Sequence, residues 1–251
     1  MSEPAEQPDR GRDRPSTKPV LAEAQILRSD VTPLISAAAL VSRFFCRSIT
    51  RVRIEGDAAA IPRDGPVILA ANHVSNIDPV MIGAFLTPRL GRRIHWLGKK
   101  EMFDWPLVGY LARNGGVVPV DRDGADVEAF RVARRILDAG NILMVFPEGT
   151  RSPTGRLQEP KDGLAMLALR TNPAIVPIGF SNTDRVWPKG RPIPTLGGHA
   201  TMRIGEPFRL GDVLPPAIDR KAAKSLATTL IMERIAALLD RRQRGAYGGT
   251  G

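Results

Sequence analysis

One histidine and one aspartate, five positions apart, carry the side chains that general-base catalysis requires. His73 and Asp78 lie in the segment Asn72-His73-Val74-Ser75-Asn76-Ile77-Asp78. Residues five apart diverge by about 140° in a continuous helix, but a strand end, a turn and a helix start could bring the carboxylate to the imidazole. One ring nitrogen would then accept a proton while the anion holds the other. The alternative is a structural histidine, with Asp78 only capping a helix that begins at Pro79.

A second polar segment follows an apolar run. Ile142 to Phe146 predicts a strand that leads into Pro147-Glu148-Gly149-Thr150-Arg151-Ser152. Polar groups at strand ends commonly form the sites of α/β proteins. Gly149 permits close backbone approach, and Arg151 can bind a phosphate through two hydrogen bonds. The alternative is a tight turn with Pro147 at its second position and Gly149 at its fourth, and the two interpretations are compatible.

Isolated cations form a third group of candidates. Lys99 and Lys100 end a stretch that begins at Arg89 and contains no acidic residue, and Arg122 follows an apolar run at Val117. Two or three cations around one phosphate would supply charge-assisted hydrogen bonds. Each of them alone is more often a solvated surface charge.

The elements that must position these residues alternate between strand and helix. Val67-Ile68-Leu69-Ala70-Ala71 predicts a buried strand that leads into Asn72. The proline in Val117-Val118-Pro119-Val120 indicates an edge strand or a strand end. This alternation predicts an α/β domain. The further elements are a helix from about Ala125 to Ala139 ending at Gly140, strands over Ile142–Phe146, Ala174–Phe180 and Ala200–Ile204, and a last helix from Asp219 to about Arg242.

The segment Leu34–Val52 is amphipathic when wound as a helix. Arg43, Arg47 and Arg51 recur every four residues on one side, and no acidic residue lies between Leu34 and Arg53. This pattern is typical of an interfacial helix, on which each arginine could add about 1 kcal/mol at an anionic leaflet. A helix packed on the protein's own core is the alternative. The apolar side comprises Leu34, Ile35, Ala37, Ala38, Val41, Phe44, Phe45, Ile49 and Val52.

Bulk composition excludes several classes of protein. The net charge of +10 favours an anionic partner, which could be nucleic acid, a membrane surface or a phosphorylated substrate. Cys46 is the only cysteine, so no internal disulfide is expected, and a reducing, cytosol-facing location fits. None of the three histidines has a second His or Cys at ligand spacing, so no protein-bound zinc is expected. No apolar run reaches the length of about 18 residues that a bilayer-spanning helix needs.

Together these segments resemble the glycerolipid acyltransferase family, whose type member is lysophosphatidic acid acyltransferase. The NHxxxxD signature is followed by the other motifs in the family's order, over roughly residues 50 to 210. The resemblance implies one α/β domain like that of glycerol-3-phosphate acyltransferases, with a mixed central sheet flanked by helices and an amphipathic N-terminal helix. The matching segments are residues 72–78, 99–103, 116–122, 146–152, 175–178 and 204–207.

The resemblance also implies a mechanism and a set of roles. His73 removes the proton from an acceptor hydroxyl, Asp78 orients the ring, and the hydroxyl attacks an acyl thioester directly. The expected acceptor is lysophosphatidic acid, which gives phosphatidic acid in phospholipid biosynthesis. The expected donor is acyl-coenzyme A or acyl-carrier protein, with no cofactor and no metal. The expected substrate-binding residues are Glu148, Gly149, Thr150 and Arg151, with Lys99, Arg122 and Arg151 facing the acceptor phosphate.

The expected layout has five parts. A disordered polar tail covers residues 1–18, an amphipathic membrane-surface segment 19–53, the acyltransferase core 54–212, a C-terminal helix 213–243 and a flexible tail 244–251. The polar start lacks the layout of a secretory signal. We therefore expect a peripheral protein at the cytoplasmic face of the cell membrane.

Four alternatives are weighed at this point. The acceptor could be another lysophospholipid or polar lipid, or the protein could bind lipid without catalysis. Nucleic-acid binding would suit the charge, but only 5% of residues are aromatic and no recognition motif is present. A P-loop is disfavoured because six residues separate Gly91 from Gly98, and Lys100 replaces the required Ser or Thr.

Overall fold

The computed structural model describes residues 23–120, 126–161 and 163–248, apart from residue 25. Seven strands occur in these ranges: β1 (Arg51–Glu55), β2 (Val67–Ala71), β3 (Ile94–Lys99), β4 (Val117–Val120), β5 (Ile142–Val145), β6 (Ala174–Ser181) and β7 (His199–Ile204). They form one sheet in the order β1-β7-β6-β2-β5-β3-β4. Neighbouring strands run parallel except β6 and β7, which are antiparallel. The predicted fold class, an α/β domain with a mixed sheet, is confirmed.

Helices cover both faces of this sheet. They are α1 (Pro33–Ile49), α2 (Asp78–Phe85), α3 (Thr87–Leu90), α4 (Pro106–Asn114), α5 (Asp126–Asp138), α6 (Gly163–Thr171), α7 (Thr183–Val186), α8 (Leu210–Val213) and α9 (Arg220–Ala237). Val67 and Leu69 of β2 pack in the cluster that contains α1 and α2, while Ile68 packs in the cluster that contains α5, α6 and α9. Because both faces are covered, β2 is an unbroken apolar run and is fully buried, as predicted.

The strand directions bring the polar segments of the sequence to one edge of the sheet. β2, β3, β4, β5 and β6 run in one direction, whereas β1 and β7 run in the other. The carboxyl ends of the first five strands therefore lie along the same edge as the amino ends of β1 and β7. We call this edge the site edge.

Five strands predicted from the sequence are confirmed, and two were not predicted. β4 lies at the edge of the sheet, which is where Pro119 costs no ladder hydrogen bond. The unpredicted strands are β1 and β3. In β1 the charged residues Arg51, Arg53 and Glu55 alternate with partly buried apolar ones, and β3 contains the buried His95. Polar residues in these two strands obscured the apolar runs on which the prediction relied.

The predicted amphipathic helix is α1, and its two sides have different environments. Ile35 and Ile49 are buried against the core, whereas Val41 and Phe44 are 68% and 77% exposed. The alternative of packing on the core therefore applies to one side of the helix, and contact of the exposed side with a membrane stays a prediction. Residues 51–53, which the predicted segment 19–53 included, belong instead to β1. No helix in the described ranges is both long enough and apolar enough to span a membrane.

The predicted row of arginines on α1 is wrong in detail. The Arg43 guanidinium donates to the carbonyl oxygen of Ala84 at 3.1 Å, and it lies over the ring of Phe85. Arg47 also lies over that ring, with 5.7 Å between the guanidinium carbon and the ring centroid. Arg51 is part of β1 and not of the helix. These arginines therefore attach α1 to α2 as well as adding charge.

The C-terminal helix ends earlier than predicted. α9 begins after Asp219, whose carboxylate caps the helix by accepting from two backbone N–H groups, and the helix ends at Ala237. In the predicted flexible tail, residues Gly245–Tyr247 form a short 3₁₀ helix, and Tyr247 packs against the cluster that contains α5, α6 and α9. The predicted tail over residues 1–18 lies outside the described residues.

Candidate active site

Asn72 fixes the point at which the chain leaves β2. Its side chain is buried, and its Oδ1 accepts the Phe180 N–H at 2.7 Å while its Nδ2 donates to the Phe180 carbonyl at 3.0 Å. The amide side chain thus pairs with β6 where the backbone of β2 no longer does. Because both bonds satisfy buried backbone groups of β6, His73 emerges at a fixed position on the site edge.

The structure brings His73 and Asp78 into contact, as predicted. The distance between His73 Nδ1 and Asp78 Oδ2 is 3.0 Å, and Asp78 is fully buried. The same oxygen accepts the backbone N–H groups of Val74 at 2.8 Å and Ser75 at 2.7 Å. Three donors therefore converge on one carboxylate oxygen, which fits an ionised carboxylate.

The alternative role of Asp78 as a helix cap is wrong. Asp78 is the first residue of α2, and Ile77 holds the cap position without a side-chain hydrogen bond. The carboxylate of Asp78 turns back toward the 73–75 turn, away from the N–H groups of its own helix. Its second oxygen, Oδ1, is buried and has no hydrogen-bond partner among the described residues.

This contact sets the state of the His73 ring. Nδ1 faces the carboxylate, so the neutral ring carries its proton on Nδ1 and a lone pair on Nε2. The ring stacks on Phe146, with 3.9 Å between the centroids and 14° between the planes. Only 15% of the His73 side chain is exposed. The ring is held by a carboxylate on one edge and by an aromatic face, which leaves Nε2 as its basic atom.

Glu148 supports the backbone of the same histidine. Its Oε1 accepts the His73 N–H at 2.7 Å, and its Oε2 accepts the Gln158 N–H at 3.0 Å. Glu148 is 4% exposed, and this burial raises its pKa to about 7, against the lowering effect of the two N–H groups. The sequence predicted a contact between Glu148 and the acceptor. Each carboxylate oxygen accepts from one backbone donor, and contact with the acceptor stays a prediction.

The segment from Phe146 to Ser152 forms the predicted turn and also contacts His73. The Gly149 N–H donates to the Phe146 carbonyl at 3.0 Å, so Pro147 and Gly149 occupy the second and fourth turn positions. The Ser152 N–H donates to the carbonyl of His73 at 2.7 Å. Gly149 has a φ of +69°, which glycine adopts without strain. The turn interpretation is therefore confirmed, and the binding of a substrate by this segment stays a prediction.

The predicted phosphate-binding cations are only partly brought together. Arg151 is partly buried in the turn segment, next to the exposed Thr150. Lys99 ends β3 at the site edge, where it is exposed and pairs in register with Val120. Arg122 lies outside the described residues, so its place stays a prediction.

Two lysines at this loop were missed by the sequence analysis. Lys189 Nζ donates to Thr150 Oγ1 and to the Arg151 carbonyl, both at 3.3 Å. The alkyl chain of Lys161 packs against Gly149, 2.9 Å from the position that a Cβ atom on this residue would occupy. Lys189 is 38 and 39 positions away from its partners, so no spacing pattern signals it. Within the ranges that the structure covers, no group of three or more His, Cys, Asp or Glu side chains could hold a metal ion.

Comparisons with known proteins point in one direction. A family model described as Acyltransferase matches residues 51–181. The chloroplastic 1-acyl-sn-glycerol-3-phosphate acyltransferase of Arabidopsis thaliana is 29% identical over 70% of this chain and 49% of its own length. The chain thus spans about half the length of the plant relatives that it matches.

Two bacterial relatives are covered over more of their length. The 1-acyl-sn-glycerol-3-phosphate acyltransferase of Bacillus subtilis (strain 168) is 26% identical over 72% of this chain and 86% of that protein. A lyso-ornithine lipid O-acyltransferase of Rhizobium meliloti (strain 1021) is 30% identical over 78% of this chain and 71% of that protein. The crystal structure of PlsC, the 1-acyl-sn-glycerophosphate acyltransferase of Thermotoga maritima, matches with a TM-score of 0.65 and 26% identity. That match covers 82% of this chain and 79% of PlsC.

Proposed function

We propose a function for this chain from one premise, which is that it belongs to the glycerolipid acyltransferase family. The chain transfers a fatty acyl group from a thioester to a free hydroxyl group of a lysolipid. The observation that carries the proposal is the 3.0 Å contact between His73 Nδ1 and Asp78 Oδ2 at the site edge. That contact leaves Nε2 of a held imidazole as a base for the hydroxyl.

The proposed reaction needs no acyl-enzyme. His73 Nε2 accepts the proton of the acceptor hydroxyl as the oxygen attacks the thioester carbonyl carbon. The carbon–sulfur bond then breaks, and the imidazolium returns its proton to the departing thiolate, so the products are an ester and a free thiol. Asp78 stabilises the imidazolium while the charge is present. A positioned base of this kind contributes roughly 10²–10⁴-fold in rate.

Lysophosphatidic acid is the proposed acceptor. Arg151 and Lys189 place two cations on the turn segment that contacts His73, and a phosphate is bound well by such groups. The relatives named 1-acyl-sn-glycerol-3-phosphate acyltransferases support this acceptor. The product would be phosphatidic acid, and the donor would be acyl-coenzyme A or acyl-carrier protein.

A lysolipid with an ornithine headgroup is the second candidate acceptor. The relative of that name in Rhizobium meliloti is similar over 78% of this chain and 71% of its own length, a fuller match than the plant enzymes give. Ornithine carries no phosphate, so the two acceptors place different demands on Arg151 and Lys189.

The proposed location is a membrane surface at its cytoplasmic face. The exposed apolar side of α1 would enter the lipid boundary. Phe45 of α1 is partly buried against the core, and its ring lies 6.0 Å from the ring of Trp187. The carbonyl of Trp187 accepts Ser75 Oγ at 2.7 Å, within the turn that holds Asp78. A surface-bound α1 would thus be in packing contact with the catalytic turn.

The test is direct detection of the product. Purified protein is incubated with labelled acyl-coenzyme A and a panel of lysolipids that includes lysophosphatidic acid and a lyso-ornithine lipid. We expect ester formation with the parent chain and its loss in a His73→Ala variant that unfolds at the parent's temperature. Undiminished turnover by His73→Ala would overturn the mechanism. Transfer to the ornithine lipid alone would replace the first candidate acceptor by the second.

A further inference from the structure

We propose that a basic cleft beside α1 binds the phosphate of an anionic membrane phospholipid that is not the acceptor. The cleft has a volume of about 490 Å³ and lies where the carboxyl end of α1, the start of β1 and the start of β7 meet. Three strand steps separate β2 from β1, which is about 14 Å at the usual spacing. His73 does not line the cleft, although both lie on the site edge.

Uncompensated charge is the first feature of this cleft. Arg47, Arg51 and Arg53 line it, and all three are exposed. None of them has a carboxylate within 4.0 Å among the described residues, whereas Arg203 on the adjoining strand β7 is paired with Glu55 at 2.7 Å. Three guanidinium groups without a carboxylate partner line this cleft. Their positive charges repel each other and favour an anion between them.

An orphaned hydroxyl is the second feature. Thr50 also lines the cleft and is 4% exposed. Its Oγ1 is buried and has no hydrogen-bond partner in the described part of the chain. A buried hydroxyl without a partner costs free energy, and natural structures usually satisfy such a group. Rotation of the Thr50 side chain would turn the hydroxyl toward the cleft, where a phosphate oxygen held by the neighbouring arginines would accept its hydrogen bond.

Exposed apolar side chains precede both chain segments that line the cleft and indicate which phosphate it holds. On α1, Leu40 and Phe44 are 66% and 77% exposed, and Phe44 precedes Arg47 by about one turn of the helix. In the second segment, Ile193 and Leu196 are 72% and 75% exposed, and Leu196 directly precedes the glycines that line the cleft. Hydrocarbon contacts beside a phosphate site are what a lipid in a bilayer requires. A soluble phosphate or a nucleic-acid backbone would leave these four side chains in water.

This site goes beyond the proposed acyl transfer, because the lipid that it binds is not consumed. A phospholipid in the cleft would fix one side of the site edge against the headgroup layer. The bound lipid would therefore orient the protein, and the orientation would not depend on whether an acceptor is present.

The test measures vesicle binding without turnover. The full chain is sedimented with vesicles of phosphatidylcholine alone and of phosphatidylcholine mixed with phosphatidylglycerol. The variants are Arg51→Gln/Arg53→Gln in the cleft, and Arg131→Gln/Arg220→Gln as a control with the same charge change at exposed arginines on α5 and α9. Thr50→Val removes the orphaned hydroxyl without changing charge. Leu196→Ser removes one apolar neighbour of the cleft.

We expect the cleft double variant to lose about tenfold or more in partitioning to the anionic vesicles, and the control to lose much less. Thr50→Val should weaken the same binding several-fold, and Leu196→Ser should weaken binding to both vesicle types. Equal losses in the two double variants would overturn the proposal, because net charge alone would then explain binding. Parent-like binding by Thr50→Val would also overturn it. A DNA duplex and inorganic phosphate are added as competitors. The proposal would also be overturned if either one displaced the parent chain from anionic vesicles but did not displace the cleft variant.

Discussion

The carboxylate of Glu148 holds the backbone N–H of His73, at 2.7 Å, across 75 positions of sequence. Its other oxygen holds the N–H of Gln158. One buried side chain therefore connects His73 to the loop that follows the turn segment. The role that fits this geometry is to position His73.

Replacing Glu148 by glutamine should lower activity through that position. An amide has one acceptor and one donor end, so either the His73 N–H or the Gln158 N–H would face an NH₂ group. An unsatisfied buried donor costs about 1–3 kcal/mol. We expect kcat/KM to fall, and the free energy of unfolding to fall with it, as measured by acyl transfer and urea unfolding. Glu159→Gln, at an exposed neighbour, is the matched control, and an equal effect there would argue against the assignment.

The pKa of Glu148 makes a separate prediction about pH. Burial raises that pKa from 4.5 to about 7, so the folded protein binds more protons than the unfolded chain between these values. Stability from this group is present below pH 4.5 and is lost as the pH rises through about 7. At about 1.4 kcal/mol per unit, the loss is at most about 3 kcal/mol. The difference in unfolding free energy between the parent and Glu148→Gln should therefore shift in favour of the variant as the pH rises over that range. A difference that does not change with pH would show that the carboxyl titrates normally.

Asp78→Asn separates the charge of Asp78 from its shape. The amide oxygen can take the place of Oδ2 and keep all three donors, while the NH₂ group occupies the unpartnered position of Oδ1. Orientation of the ring survives, but the anion that stabilises the imidazolium does not. We expect kcat to fall by about 10²-fold or more with a folded protein by circular dichroism. Asp212→Asn, on an exposed carboxylate, should leave kcat unchanged, and a parent-like kcat in Asp78→Asn would remove Asp78 from the mechanism.

Arg151→Gln should report on the acceptor headgroup. A lost charge-assisted bond to phosphate costs about 1.5–3 kcal/mol, so KM for lysophosphatidic acid should rise roughly tenfold to a hundredfold while kcat changes little. Arg156→Gln removes an exposed arginine five positions away and serves as the control. With a lyso-ornithine acceptor the rise in KM should be smaller. An unchanged KM for lysophosphatidic acid would place the phosphate elsewhere.

Gly149→Ala and Gly65→Ala form a matched pair. Their φ angles are +69° and +72°, so both alanines cost roughly 1–2 kcal/mol in backbone strain. A Cβ at Gly149 also comes within 2.9 Å of the Lys161 side chain, whereas a Cβ at Gly65 meets nothing within 4 Å. We expect similar losses of stability by thermal unfolding, but a roughly tenfold or larger loss of kcat/KM only for Gly149→Ala. Equal activity in the two variants would show that the turn tolerates a side chain.

The parts of this structure that follow from local sequence were predictable. The apolar run of β2, the edge strand with Pro119 and the His73–Asp78 pair each depend on residues a few positions apart, and each has a chemical signal in its residue types. The backbone contacts of the Glu148 carboxylate were not predictable, because its partners are N–H groups, which every residue except proline possesses. The stacking of Phe146 on His73 likewise depends on β2 and β5 being neighbours, and no residue type encodes that pairing.

Long-range contacts also explain why the surface of α1 could be assigned only after folding. The periodicity of the segment placed Ile35, Val41 and Phe44 on one side. Only the folded structure decides that Ile35 is buried while the other two are exposed. The periodicity therefore predicted which residues form the apolar side of α1. It did not predict which of them face the core and which face outward.

The pairing of β1 with β7 has a consequence for synthesis on the ribosome. β1 is an outer strand whose neighbour in the sheet is β7, and the partner of Arg51, His199, is translated 148 residues later. Among the described strands, the first to leave the exit tunnel is thus among the last to be paired. Until then the nascent chain exposes an unpaired strand that follows α1, a helix with exposed apolar side chains on one side. A chaperone or the bilayer itself could engage that helix before the sheet is complete.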